Sequence, residues 1–364
     1  MRLKKMKQIG KTLSLRIVCA GLLLGAISCQ KNDDVADKTS KTVGDKNLGI
    51  ARTYRKSGQS MPPEAAANRK AFLERMSNLS KTDSRSLKSI GGKNKIGVVF
   101  KFLFDERTFN QNNIPNGNVK ASAERQIRIL NEGFNGSNLP ENSRLNIQFQ
   151  LDGVDTHWVG NDYLAESTDG EFNNGGFSMD HPQTKLYIYV VPGRSWPGIS
   201  GWATGLWNNF PDHGKGSPFH VVLSQFSFVD WGGNNDLNKS QDLNSGKVII
   251  HEVGHLFGLH HAFSGRFSCS DNDRIPDTPK QSYQQIQNSV GDLAMISYAK
   301  NNAKNALGEP LLYDAICNKN IDVIWNHMQY TPERFRKRFS PGQINAMAWG
   351  LTYKTSVRKK MLRW

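Results

Sequence analysis

The sequence has few apolar runs, and none is long enough to cross a membrane. The longest, Ile17 to Ser28, has 12 residues, whereas a spanning helix needs about 20. A multi-pass membrane protein is therefore excluded. The chain has 364 residues, of which 37% are hydrophobic, enough to fill a sizeable core. This composition excludes wholesale disorder and a collagen-like chain.

Positive charge is scarce in the middle of the chain, although the formal net charge is +15. Residues 1–95 hold 21 Lys and Arg against 7 Asp and Glu, and residues 332–364 hold 9 against 1. Residues 96–331 therefore carry a net charge of −7. Because the basic charge lies at the two ends, we expect no nucleic-acid partner for the core.

The N-terminus is typical of an export signal, here residues 1–28. Six basic residues precede the apolar segment, which runs into Gly25-Ala26-Ile27-Ser28-Cys29. This end resembles the lipobox of bacterial lipoproteins, although Ala26 stands where an aliphatic residue such as Leu is usual. The resemblance implies that Cys29 carries a lipid in the cell envelope, as in an outer-membrane lipoprotein, or in a form secreted after release. Ordinary secretion and an uncleaved anchor are the alternatives.

Cysteine is limited to four residues. Cys19 falls in the signal and Cys29 in the lipobox-like segment, which leaves Cys269 and Cys317. Two thiols in an oxidising compartment indicate one disulfide. Two separate buried thiols are the alternative.

The distribution of apolar residues predicts an α/β fold. Residues 29–95 are rich in Lys, Ser, Thr and Asn and indicate a tether and pro-region. Beyond them, apolar periodicity and β-branched content predict strands and helices in alternation. The predicted strands are 96–104, 145–151, 186–191 and 220–223, and the predicted helices are 121–134, one that begins near 248, and a terminal one through Ile344, Met347 and Ala348. We expect a mixed sheet with helices packed on it.

The segment His251-Glu252-Val253-Gly254-His255-Leu256-Phe257-Gly258-Leu259-His260-His261 carries the chemistry. It reads H-E-x-x-H-x-x-G-x-x-H, in which the first two histidines lie one helical turn apart on one face. Gly258 permits the left-handed backbone that ends a helix and lets His261 return as a third ligand. Three imidazoles leave a fourth zinc position for water, which is typical of a catalytic site. Glu252 is placed to act as the base.

Two other functions fit the same motif. One is a lipid-anchored adhesin with a structural zinc ion, and the other is a zinc amidase that acts on cell-wall peptides. The presence of Glu252 favours an enzyme, since a structural site needs no adjacent base.

With this zinc motif, the sequence resembles the metzincin metalloproteases, and among them the pappalysin group and the zinc-dependent metalloproteinase lipoproteins of Bacteroides-like bacteria. The resemblance runs from about Ile96 to Gly350. Besides the zinc motif, Asn326-His327-Met328-Gln329-Tyr330 resembles the Met-turn, and Asp277-Thr278-Pro279 and Phe339-Ser340-Pro341-Gly342-Gln343-Ile344 are similar to pappalysin stretches.

This resemblance implies a metzincin-like α+β fold with a zinc cleft, a backing helix, an active-site helix and an antiparallel edge strand near Gly201 to Thr204. It also implies an irregular C-terminal subdomain. Met328 is expected beneath the metal, and Tyr330 is expected to donate a hydrogen bond to the oxyanion. The implied activity is that of a monomeric zinc endopeptidase, in which Glu252 assists the attack of water at the zinc on peptide bonds of extracellular proteins.

The implied organisation places the catalytic subdomain at 96–261 and the C-terminal subdomain at 262–364. Oxygen ligands for calcium near the cleft are a further expectation. They are Asp271, Asn272, Asp273 and Asp277. Solvated turn residues are an equal alternative there.

Overall fold

The computed structural model describes the greater part of the chain beyond residue 93. The described residues are 94–106, 118–159, 184–192, 201–203, 220–229, 245–263, 269, 273–282, 303–309, 311–314, 317–322, 324–329, 331, 333, 335–352 and 362–363. The predicted signal, tether and pro-region, with Cys29, lie outside them. Within these residues, no helix combines the length and the apolar character needed to cross a bilayer.

The described residues form three helices and eight strands, with short 3₁₀ turns at Glu141–Ser143 and Gln225–Ser227. In chain order they are β1 (Asn94–Phe104), α1 (Val119–Asn135), β2 (Ile147–Trp158), β3 (Leu186–Val191), β4 (Gly201–Ala203), β5 (His220–Ser224), α2 (Val248–Leu256), β6 (Leu312–Asp314), β7 (Lys319–Ile321), α3 (Pro341–Thr352) and β8 (Leu362–Arg363).

The main sheet has the order β2-β1-β3-β5-β4. The first four strands in this order are parallel, and β4 pairs antiparallel with β5 at the edge. The two residues of β8 pair antiparallel with the start of β1. Strand β3 is buried along its whole length, as expected for a parallel strand covered on both faces. The predicted mixed sheet with an antiparallel edge strand is confirmed.

All three helices contribute to the hydrophobic core that the sheet also lines. Helix α1 is capped by Asn118, whose side chain accepts a hydrogen bond from the amide of Ala121. Its buried positions recur at helical spacing and pack against β2. Asn131 fixes the helix to that strand, because its side-chain amide both donates to and accepts from the backbone of Phe149. Phenylalanine dominates the fully buried side chains around this junction: Phe100, Phe102, Phe104, Phe134, Phe149, Phe257 and Phe339.

Strand β2 differs from its prediction at both ends. It begins at Ile147 and not at residue 145, because Asn146 has a φ of 57°, which is incompatible with a strand. It continues to Trp158 because backbone pairing with β1 extends that far, past an irregularity opposite Val98 and Val99. The alternation of buried and exposed side chains covers only the first residues of β2, whereas its backbone pairing with β1 runs to Trp158. The sequence pattern therefore showed only the first half of the strand.

The C-terminal region is held together by polar contacts and a disulfide. Helix α3 begins where Asp277 accepts hydrogen bonds from the amide of Gly342 and the hydroxyl of Ser340. Cys269 and Cys317 form a disulfide, as predicted. The hairpin β6–β7 and strand β8 were not predicted, because three-residue and two-residue strands carry no periodic signal. The subdomain boundary at residue 261 stays a prediction.

Replacing both Cys269 and Cys317 with Ser is expected to lower the free energy of unfolding. The disulfide closes a loop with a sequence separation of 48, which corresponds to about 4 kcal/mol on a chain-entropy basis. Urea unfolding of the oxidised protein and the double variant measures this difference. Equal unfolding midpoints and slopes would show that the bond constrains nothing.

Candidate active site

The active-site helix is α2, and Gly258 ends it at its C-terminus. The amide of Gly258 donates to the carbonyl of His255, and the amide of Leu259 donates to that of Gly254. These two bonds form a Schellman motif, which needs a left-handed residue after the helix. Gly258 has a φ of 104°, a conformation that other residues rarely adopt. The chain therefore turns back toward the helix at the place where the sequence predicted it.

Three imidazoles meet beside this turn. The Nε2 atom of His255 lies 3.1 Å from those of both His251 and His261, which are 3.3 Å from each other. His251 is fully buried and His261 almost so, while His255 is partly exposed. Among the described residues, these three are the one group of metal-binding side chains close enough to hold an ion together.

Backbone carbonyls fix which nitrogen of each helix imidazole faces the centre. The Nδ1 atom of His251 lies 2.6 Å from the carbonyl oxygen of His327, and that of His255 lies 2.8 Å from the carbonyl oxygen of Leu259. Because a carbonyl only accepts, each Nδ1 carries the proton and each Nε2 presents a lone pair. The third ring, that of His261, stacks on Phe263 with centroids 4.7 Å apart.

The three nitrogens fit a zinc ion. Zn–N bonds of about 2.0–2.1 Å in a tetrahedron place nitrogen atoms about 3.3–3.4 Å apart, close to the observed 3.1–3.3 Å. Because Nδ1 carries the proton in both His251 and His255, their Nε2 atoms cannot hydrogen bond to each other, and the 3.1 Å contact between them suits two ligands of one cation. Three nitrogen donors with no cysteine match the ligand set of catalytic sites that keep one position open.

Burial lowers the pKa of all three rings. Burial lowers the pKa of His255 to about 4, although the hydrogen bond from its Nδ1 to the carbonyl of Leu259 acts to raise this pKa. The pKa values of His251 and His261 fall well below the usual range through burial, and the neighbouring imidazoles lower them further. The rings are therefore neutral at pH 7, the form that binds a metal ion.

Glu252 belongs to α2, and its side chain packs against the edge strand β4. Its side chain is fully buried. A Cβ atom on Gly201 of β4 would lie 2.9 Å from Cγ of Glu252 and 3.0 Å from its Oε1. The backbone of β4 thus packs directly on the carboxylate, and a glycine is needed there for that close approach.

The predicted Met-turn lies against the other side of α2. Met328 is fully buried, and a Cβ on Gly254 would lie 2.6 Å from its sulfur. The side chain of Asn326 shapes the turn, because its oxygen accepts from the amide of Met328 and its nitrogen donates to Gln343. Met328 directly follows His327, whose carbonyl contacts His251, so its side chain packs close to the metal-binding residues.

Two glutamines connect this turn to the third histidine. Gln329 donates to the side-chain oxygen of Gln281, and the side-chain nitrogen of Gln281 donates to the carbonyl of Ala262. Ala262 directly follows His261. Sequence reasoning missed both glutamines, because hydrogen bonds between residues 19 and 48 positions apart leave no local pattern.

Several predicted site residues lie outside the described part of the chain: Tyr330, Cys29, Asp271 and Asn272. Of the other calcium candidates, Asp273 accepts from Thr278 and the amide of Ile275, and Asp277 caps α3. The calcium site stays a prediction.

Comparison with known proteins agrees with this geometry. Residues 207–352 match the model of a peptidase family described as pregnancy-associated plasma protein-A. An extracellular metalloprotease of Arthroderma benhamiae is 27% identical over 236 residues, which cover 65% of this chain and 70% of that protein. One of Arthroderma gypseum is 27% identical over 308 residues, which cover 82% and 85%. These similarities support a metzincin-like zinc metalloprotease.

The fold of the metalloprotease is also known from a solved structure. A mutant of promirolysin from Tannerella forsythia matches with a TM-score of 0.57 at 20% identity, over 86% of this chain and 95% of that one. The predicted fold class is thus confirmed. The region matched by the family model contains α2, the predicted Met-turn and α3, and with them all three histidines of the metal site.

The metal-free metalloprotease is expected to lose stability as the pH falls from about 6.5 toward 4. In the unfolded chain the histidines take up protons near pH 6.5, whereas in the folded protein His255 stays neutral down to about 4. Between these pH values the unfolded chain binds more protons than the folded protein, so acidification favours unfolding. Above about pH 6.5 the histidines are neutral in both states and this destabilisation is absent. Melting temperatures of chelator-treated protein between pH 7.5 and 4 measure the effect.

The control for this experiment is His255→Asn, which removes one such group and should flatten the pH dependence. A wild-type melting temperature that stays level or rises on acidification would contradict the assignment.

Gly201→Ala is expected to lower proteolytic kcat about 100-fold, because the added methyl group would lie 2.9 Å from both Cγ of Glu252 and Cγ1 of Val248 and so displaces Glu252, the first turn of α2 or β4. The matched control is Gly153→Ala on β2, where the nearest atoms are Val99 methyl groups at 3.6 and 3.8 Å. Kinetics on a protein substrate compare the two. Equal activity of both variants would mean that the contact with Glu252 has no catalytic consequence.

Proposed function

We propose that this metalloprotease cleaves peptide bonds of extracellular proteins and that Glu252 is its general base. The observation that carries the proposal is the full burial of Glu252 next to His251, against the backbone of Gly201. Burying a carboxylate is costly, and a structural zinc site gains nothing from one beside its ligands. A hydrolytic site needs a base at this position.

The chain's own groups have distinct roles in the proposed reaction. The ligands are His251, His255 and His261. When bound, zinc supplies a Lewis acid that lowers the pKa of water toward about 7 and polarises a carbonyl group. Glu252 accepts the proton of the attacking water and passes it to the departing amine.

Two further roles are proposed for the Met-turn. Met328 forms an apolar floor under the metal site, where its polarizable sulfur packs without ligation. Tyr330, by resemblance alone, donates a hydrogen bond to the oxyanion that forms when water attacks the carbonyl.

The substrate is proposed to bind as an extended strand along β4. This strand pairs antiparallel with β5, its one hydrogen-bonded neighbour within the described residues. An edge strand offers backbone donors and acceptors in register for a peptide. Since Gly201 contacts Glu252 from this strand, a peptide paired there runs beside the base.

Export with lipidation at Cys29 belongs to the same proposal. It is supported by the six basic residues, the apolar segment and the cysteine that follows it. Relatives named extracellular metalloproteases agree with an enzyme that acts outside the cytoplasm. We propose a monomer anchored to the bacterial envelope through its N-terminal lipid.

Glu252→Gln is expected to abolish proteolysis and to keep the metal. Loss of the base should lower kcat by about 10²–10⁴-fold, while the three histidines still bind one zinc ion. Casein cleavage, with zinc content from elemental analysis, measures both. The control is Glu124→Gln at an exposed position of α1, which should cleave casein as the wild type does, and chelator should inhibit both active proteins.

Each alternative function gives a different result. Wild-type protein that releases peptides from cell-wall fragments but leaves casein intact is an amidase. Protein that binds zinc and hydrolyses neither substrate is a binding protein. Unchanged casein cleavage by the Glu252→Gln variant would contradict the assignment of the base.

A further inference from the structure

We propose that Glu333 is a positioning residue of the zinc site, which holds the first turn of α2 and thereby the first metal ligand from a distant loop. This proposal deepens the proposed function, since it concerns the same site, but it does not depend on Glu252 being the base. Glu333 lies in the loop that carries Met328, here called the Met-turn loop (residues 326–338). The ends of this loop are joined by a bridge between Asn326 and Arg338.

Helix α2 has no N-terminal cap of its own. Its preceding residue, Lys247, makes no capping hydrogen bond with its side chain, and the first amides of a helix need an acceptor. The acceptor comes from Glu333, whose Oε1 lies 2.6 Å from the amide nitrogen of Val248. Its Oε2 accepts from the amide of Ser245 at 2.8 Å and from the hydroxyl of the same serine.

The contact is reciprocal. Lys247 donates from Nζ to the carbonyl of Glu333 at 3.0 Å and to that of Arg336 at 2.9 Å. The helix entrance and the Met-turn loop thus each satisfy backbone groups of the other. A carboxylate at the N-terminus of a helix is also favoured by the helix dipole.

Glu333 is fully buried, which is costly for an acid. Burial raises the pKa of its carboxyl, while Arg336 and the bonds from Ser245 and Val248 oppose this effect. A glutamate is almost never fully buried unless its carboxylate is paired, as it is here, and acids in such perturbed surroundings are concentrated at functional sites. The amide of Val248, which this acid accepts from, lies about one helical turn before His251.

The same loop also contacts the metal-binding residues directly. The carbonyl of His327 accepts the Nδ1 proton of His251, and Met328 packs on Gly254. Helix α2 is therefore held by one loop at three successive points: its first turn, its first ligand and the turn that carries its second ligand. If the first of these contacts is lost, the helix end frays and the ring of His251 loses its fixed direction.

The test is Glu333→Gln, a variant of nearly the same shape. Its carboxamide has a single acceptor oxygen, which can serve the amide of Val248 or that of Ser245 but not both, so one of the two backbone bonds is lost. Groups that orient metal ligands typically contribute about 10–100-fold to affinity or activity. We expect the zinc Kd, measured by competition with a chelator, to rise at least about tenfold. We also expect kcat on a peptide substrate to fall while KM stays constant, and the visible spectrum of the cobalt-substituted protein to change.

The matched control is Asp314→Asn in β6. Asp314 is also fully buried and has the same type of donors, namely the amide and hydroxyl of Ser282 and the amide of Cys317. Its loss should lower the melting temperature of the metal-free protein as Glu333→Gln does. The zinc Kd and the cobalt spectrum should remain those of the wild type.

A milder variant keeps the test decisive if Glu333→Gln does not fold. Ser245→Ala removes one donor to Glu333 and leaves both backbone bonds, and it should weaken zinc binding less but in the same direction. Wild-type zinc Kd and cobalt spectrum in the folded Glu333 variant, or in Ser245→Ala if only that one folds, would overturn the proposal. So would an equal loss of zinc affinity in Asp314→Asn. These readouts are independent of Glu252, so failure here leaves the proposed base untouched.

Discussion

The active site depends on three imidazole nitrogens, those of His251, His255 and His261, which lie 3.1–3.3 Å apart and converge on one point. Burial keeps these rings neutral, which is the form that binds a metal ion. The carbonyls of His327 and Leu259 hold two of the rings in the required tautomer. The protein thus holds three nitrogen donors close to the spacing that one tetrahedral zinc ion requires.

The groups that hold the rings come from both sides of α2. Leu259 can offer its carbonyl because Gly258 turns the chain back immediately after the helix. His327 offers its carbonyl because the Met-turn loop closes beneath the helix. The local turn and the long-range loop therefore both orient metal-binding rings, one from within the zinc motif and one from the C-terminal part of the chain.

Sequence reasoning was accurate where structure follows from local periodicity. The helix at Val248–Leu256, the strand at Leu186–Val191 and the left-handed Gly258 each follow from residues close together in the chain. It failed where distant segments meet. Glu333 is a charged residue in a polar stretch, and only the fold shows that it caps a helix 85 residues away. Strand β2 was half predicted, because its second half depends on pairing with β1.

X-ray absorption spectroscopy of the zinc-loaded wild-type protein tests the central claim most directly. The geometry predicts one zinc ion per chain with three imidazole nitrogens at about 2.0–2.1 Å and a light oxygen donor in the remaining position. Multiple scattering from three imidazole rings would identify the nitrogens as histidine. A spectrum with sulfur at about 2.3 Å, or with fewer than three imidazoles, would contradict the account.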